Sequence, residues 1–200
     1  ILGFLFFKGG FFHQIDIYSK SLKVYTYAYV GKVLLDYGGS SSLYGPLKTF
    51  ILMFSSGVEP YKLFLNIYNI FCLFATGLTI FFVWTEKVYW KQLFLLVAVL
   101  ILLPYITYDY KLLFLFVPLW FFIDQKEKTK FDFVYIILFG LLFIPKNVLF
   151  LFYFSKNYHY FKWIGLSAIL NPIILMLMCF MIIYEQKKIK IGCNENSEKE

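Results

Sequence analysis

Of 200 residues, 60% are hydrophobic, 24% are aromatic and only 16% are charged, a balance far from that of a water-soluble domain and more apolar than one aqueous core could hide. The net charge of +7 comes with 19 basic residues, all of them lysine. These lysines stand in short links between apolar runs, so orientation in a membrane is their expected use and nucleic-acid binding is not.

The chain opens inside an apolar run, residues 1–7, that is too short to cross a bilayer. It reads as the end of a helix that starts upstream, with no basic n-region or cleavage site to mark a signal peptide. The expectation is the C-terminal portion of a longer multi-pass protein. Residues 11–48 are mixed. Ile15, Tyr18, Leu22, Tyr25 and Tyr29 recur at helical spacing, with Lys20, Lys23 and Lys32 off that stripe. This pattern predicts an amphipathic helix over 15–29 lying in the outer membrane interface. Gly-Gly-Ser-Ser-Ser at 38–42 reads as a flexible turn, and 49–54 is an apolar stretch too short to span.

Residues 62–84 form the clearest transmembrane helix. After a polar link, 85–92, come apolar runs of 14 and 12 residues, 93–106 and 112–123, separated by Thr107-Tyr108-Asp109-Tyr110-Lys111. A link at 124–132 carries three lysines. The next run, 133–153, is interrupted by Pro145-Lys146, and the last, 163–184, is kinked at Asn171-Pro172. The predicted membrane segments are thus 62–84, 88–106, 112–123, 133–153 and 163–184. The predicted fold class is all-α, a polytopic transmembrane helix bundle with short or broken helices. A polar, disordered cytoplasmic tail, 185–200, completes it.

The positive-inside rule orients these segments. With Lys187, Lys188 and Lys190 of the tail in the cytoplasm, the links 85–92 and 124–132 also face inward. The Asp109 turn, 155–162 and the 11–48 segment face outward.

Two features suggest a site. A helix rises about 1.5 Å per residue, so the two short runs reach only about 21 and 18 Å against a hydrocarbon core of about 30 Å. The Asp109 turn between them is therefore expected at or below the outer surface, in a water-filled dent, where a retained carboxylate and ammonium point to function. The plainer alternative is an interfacial belt of Tyr105, Tyr108 and Tyr110, with Asp109 and Lys111 capping helices. The second feature is Lys146. It is read either as a cation for a lipid-linked phosphate, with Pro145 opening the helix, or as a lysine that snorkels to the headgroups. His13 and His159 stand apart from any second ligand, and Cys72, Cys179 and Cys193 have no metal or CxxC spacing. No metal site, cofactor or nucleic-acid partner is expected, and the cysteines read as unpaired packing residues.

The segments SLKVYTYAYV at 21–30, GGSSSLYGPLK at 38–48 and LLPYITYDYKLLFLFVPLWFF at 102–122 together resemble the C-terminal half of bacterial integral-membrane proteins of glycosyltransferase family 87. The sharpest element is Pro104 followed by the turn Asp109-Tyr110-Lys111-Leu112. The resemblance implies a GT-C class enzyme, dependent on a polyprenyl-phosphate-linked sugar and working at the outer face of the cell membrane. The catalytic acid of that class lies in a first outward loop upstream, so no catalytic residue is carried over. The expected substrate-binding set is Tyr108, Asp109, Tyr110, Lys111 and Lys146, with the tyrosines stacking on a sugar ring and Lys146 meeting the phosphate. The rival functions are a transporter or flippase of lipid-linked glycans and a non-catalytic membrane scaffold.

Overall fold

The computed structural model describes residues 10–25, 41–54, 59–105, 107, 109–125, 129–146, 150–155 and 160–197. The chain divides into two compact units, Ile1–Asp36 and Tyr37–Glu200. In the first, helix α1 spans Gly10–Tyr25. Ile15 and Tyr18 of its apolar stripe are exposed. Lys20 donates to Asp16 at 2.6 Å, one turn back, and this pairing holds the Asp16 carboxyl below its ordinary range. Positions 26–29 of the predicted interfacial helix lie outside the described residues.

The second unit contains α2 (Tyr44–Phe54), α3 (Glu59–Thr85), α4 (Tyr89–Leu102), a 3-10 helix (Asp109–Leu115) running into α5 (Phe116–Asp124), α6 (Asp132–Phe143), strands β1 (Phe150–Ser155) and β2 (Tyr160–Gly165), and α7 (Leu166–Ser197). Two stretches, Leu63–Thr85 and Leu166–Lys188, are long and apolar enough to cross a membrane. At 14 and 12 residues, α4 and α6 reach only about 21 and 18 Å and are shorter than the hydrocarbon core.

The core forms where α4, α5, α6 and α7 meet. Trp90, Phe94, Ala98 and Ile101 make one buried stripe of α4, and Tyr135, Phe139 and Leu142 one of α6. Leu175, Met178 and Ile182 supply the facing stripe of α7. These are helical repeats of three and four residues. Rings set the spacing: Trp90 stands edge-on to Phe122 at 4.9 Å and to Tyr135 at 5.0 Å, the arrangement that ring quadrupoles favour. By contrast, α3 exposes large apolar side chains along its length, including Leu73, Phe74 and Trp84. Tyr68 marks its inner face, donating to the Leu103 carbonyl at 3.0 Å.

One end of this unit is closed by polar side chains. Glu86 accepts from the Lys87 and Val88 amides at the start of α4, at 2.9 and 3.0 Å, where helix N–H groups lack partners. Gln92 reaches back to the Val83 and Glu86 carbonyls at 3.2 and 2.7 Å, which secures the α3–α4 turn. Trp90 Nε1 donates to Gln125 at 2.9 Å, and Gln125 in turn donates to Asp132 at 2.9 Å. Between α4 and α7, Lys91 and Glu185 form a buried ion pair.

Three expectations are corrected. First, the run 133–153 breaks at Pro145-Lys146 as expected, but its second part enters a strand and not a helix: α6 stops at Phe143, Ile144 is extended, with φ −64° and ψ 126°, and Phe150–Ser155 is β1. Pro145 causes the stop: its ring disfavours helical backbone in the residue before it. Second, helices dominate the described residues, but β1 and β2 pair antiparallel, from Phe150 opposite Gly165 to Ser155 opposite Tyr160. Aromatic segments of this kind suit a pleated sheet, and β2 takes up the first residues of the predicted segment 163–184. Third, α7 does not end at Tyr184 but continues to Ser197. The first two residues past Tyr184 have partners: Glu185 pairs with Lys91, and Gln186 donates to Thr85 Oγ1 at 2.8 Å.

Candidate functional site

The site begins with the end of α4. Pro104 cannot continue the helix, so the carbonyls of its last turn need partners from elsewhere. Residues 41–43 cap the last of them and then pair with the segment that follows. The Leu43 amide donates to the Leu102 carbonyl at 2.9 Å, and the Ser42 hydroxyl to the Tyr105 carbonyl at 3.1 Å. The Ser41 amide continues the zipper by donating to the Thr107 carbonyl at 2.7 Å. Ser41 and Ser42 are buried, so this part of the predicted flexible turn is fixed structure.

That zipper aims the Ser41 side chain. Its hydroxyl donates to Asp109 Oδ1 at 2.5 Å and accepts from Asn171 Nδ2 at 3.0 Å. Asp109 opens the 3-10 helix, and Asn171 sits on α7 immediately before Pro172. Three distant parts of the chain thus converge on one hydroxyl.

Lys146 approaches from the other side. Its ammonium donates to the carbonyls of Leu142 and Ile144 at 3.3 and 3.0 Å, at the α6 C-terminus, where a positive charge is favoured. It is buried, and among the described residues it has no carboxylate at ion-pair distance.

Between these groups lies a cavity of about 250 Å³. Asp109, Lys146, Ser167 and Asn171 form its polar part. Leu112, Leu113, Leu142 and Phe143 form an apolar wall, with Tyr110 at the rim and largely exposed. Ser167 and Asn171 are each 1% exposed, and Ser167 Oγ and Asn171 Oδ1 are buried without a hydrogen-bond partner. Pro172 has no N–H, so the helical bond to the Ala168 carbonyl four residues back is also missing.

Of the predicted set, the structure brings Asp109, Tyr110 and Lys146 to this cavity. Lys111 is half-buried and does not line it, because the 3-10 helix turns it away from Asp109. Tyr108 lies outside the described residues. The sequence placed Ser41 in a flexible turn and Asn171 at a packing kink, and did not single out Ser167. Its one usable signal was the polar pair Ser167 and Asn171, four apart and therefore on one face of an otherwise apolar helix. Among the described residues no cluster of three or more His, Cys, Asp or Glu side chains is placed to hold a metal ion.

Comparison of the chain with protein-family models, with characterised proteins and with solved structures finds no match.

Proposed function

We propose that this chain is a multi-pass membrane glycosyltransferase of the GT-C type, moving a sugar from a polyprenyl-phosphate donor to a cell-envelope acceptor, and that the cavity between Asp109 and Lys146 receives the donor's head group. The observation that carries this reading is the two-sided lining. A buried ammonium, a carboxylate, an amide and a hydroxyl face the same space as an apolar wall. An occupant that suits both sides is a polar, anionic head on an apolar chain. Phosphate oxygens would complete the Lys146 ammonium, which otherwise has only carbonyl partners. Leu113 and Phe143 would meet the first isoprene unit, and Tyr110 at the rim offers a ring face to a sugar. Asp109 has a binding role here: one oxygen holds the Ser41 hydroxyl, and the other is left to accept from a sugar hydroxyl.

Lysine placement supports the orientation. The 85–92 and 124–132 links and the C-terminal part of α7, with Lys187, Lys188 and Lys190, are lysine-bearing, and the positive-inside rule puts that end in the cytoplasm. The cavity end, at the ends of α4 and α6 and the start of α7, then faces outward.

The test is transfer by the full protein in liposomes, supplied with a radiolabelled polyprenyl-phosphate hexose and an envelope acceptor. Asp109→Asn and Lys146→Gln are each expected to lower transfer at least tenfold while the protein inserts and accumulates normally. Undiminished transfer by both variants would defeat the assignment. A flippase shares the need for a broken helix such as α7 at Pro172. Movement of the labelled lipid across the bilayer without sugar transfer would favour it instead.

A further inference from the structure

We propose that Ser167 and Asn171 form the subsite that reads the hydroxyls of a single sugar ring, distinct from the Lys146 contact that binds the phosphate; this rests on the donor-binding reading above. Both side chains are almost completely buried, both line the cavity, and each leaves a polar atom without a partner. Leaving such atoms bare costs free energy, so a group that satisfies them is expected in the bound state. Asn171 has a fixed polarity: its Nδ2 is committed to Ser41, so its Oδ1 remains as a pure acceptor. It therefore asks for a donor and rejects a second phosphate oxygen. Ser167 can donate or accept.

Being four residues apart on a helix, the two groups are separated by about 6 Å along its axis, a span that one pyranose ring bridges. The cavity, about 250 Å³, is just below the usual range of about 300–1,000 Å³ for small-molecule sites. One ring and its phosphate fill a space of that size. Charge separates the two halves of the head: the ammonium stands on the α6 side, and the neutral acceptor and hydroxyl stand on α7. A sugar phosphate presents the matching order, whereas a bare lipid phosphate uses only the first half.

The experiment measures binding to the full protein in phosphatidylcholine nanodiscs. The probes are citronellyl phosphate, the same lipid carrying mannose, glucose or arabinose, and phosphatidylglycerol as a competitor. Wild type is expected to bind at least one sugar-bearing probe more tightly than plain citronellyl phosphate. Ser167→Ala breaks no hydrogen bond in the structure, so it keeps the fold. It is expected to weaken the sugar-bearing probe about two- to tenfold, the ratio set by one neutral hydrogen bond, and to leave plain citronellyl phosphate unchanged. Asn171→Ala, which also releases the Ser41 hydroxyl, is expected to weaken the sugar-bearing probe more strongly, and Lys146→Gln to weaken both probes. If Ser167→Ala changes neither probe, or both equally, water alone fills the subsite and the proposal is overturned while donor binding stands. Competition by phosphatidylglycerol equal to that of the sugar lipid would also overturn it. If wild type binds none of the isoprenoid probes, the donor-binding reading falls, and the subsite with it.

Discussion

Lys91 and Lys146 are both buried, and their surroundings give them different work. Lys91 faces Glu185, and removing one member of such a pair leaves a stranded charge, at a cost of about 3–5 kcal/mol. Glu185→Gln should therefore lower the unfolding midpoint sharply when the protein is heated in detergent, and pairing it with Lys91→Met should restore most of the loss. Lys146 faces carbonyls only, so Lys146→Gln gives up two hydrogen bonds but also relieves an uncompensated charge. Its midpoint should move far less than that of Glu185→Gln. An equal fall would make Lys146 a structural residue and remove it from the binding site. Asp109 and Lys146 were legible in the sequence because charges are conspicuous in apolar runs. Ser41 and Asn171 were not, since their meaning depends on a contact across 130 positions, and a hydroxyl or amide alone is unremarkable in a helix.

Two prolines shape the elements that carry these residues. Pro145 ends α6 and leaves the Lys146 ammonium free to fold back on the last carbonyls. Pro145→Ala should let the helix continue, swing Lys146 away and weaken binding of citronellyl phosphate as much as Lys146→Gln does. Far-UV circular dichroism should gain helical signal in the same variant, and unchanged binding would show that helix termination does not place the ammonium. The long helix α3 was plain from its apolar run, whereas the run 93–106 was carried through Pro104 although α4 ends at Leu102. The β1–β2 hairpin was hidden because a short apolar run fits a strand or a buried helix equally well. Hydropathy also merged α6 and β1 into one segment, although Pro145 marked the boundary. The continuation of α7 was missed because Glu185 and Gln186 look like solvent-facing residues until Lys91 and Thr85 are brought beside them.

At the scale of the whole second unit, polarity is divided between two ends joined by an apolar core. One end has the Lys91–Glu185 pair and the Trp90–Gln125–Asp132 chain of hydrogen bonds. The other has the cavity, with Asp109, Lys146 and Asn171. If the apolar helices cross a membrane, these ends face opposite aqueous phases, and the lysines decide which is which. Lys87, Lys91, Lys126, Lys128, Lys130, Lys187, Lys188, Lys190 and Lys199 belong to links or a tail on the first side; Lys48, Lys62, Lys111, Lys146, Lys156 and Lys162 belong to the second. The excess on the first side favours the cytoplasm. A reporter fused after Glu200 should then be cytoplasmic, and one inserted at Asn157 should be external. Independently, with Cys72, Cys179 and Cys193 replaced by serine, Tyr110→Cys should react in intact cells with a membrane-impermeant thiol reagent, because Tyr110 is exposed at the cavity rim. Reaction only after permeabilisation would turn the cavity toward the cytoplasm. A sugar donor presented at the outer face could not then reach it, and the glycosyltransferase reading would fail along with the topology.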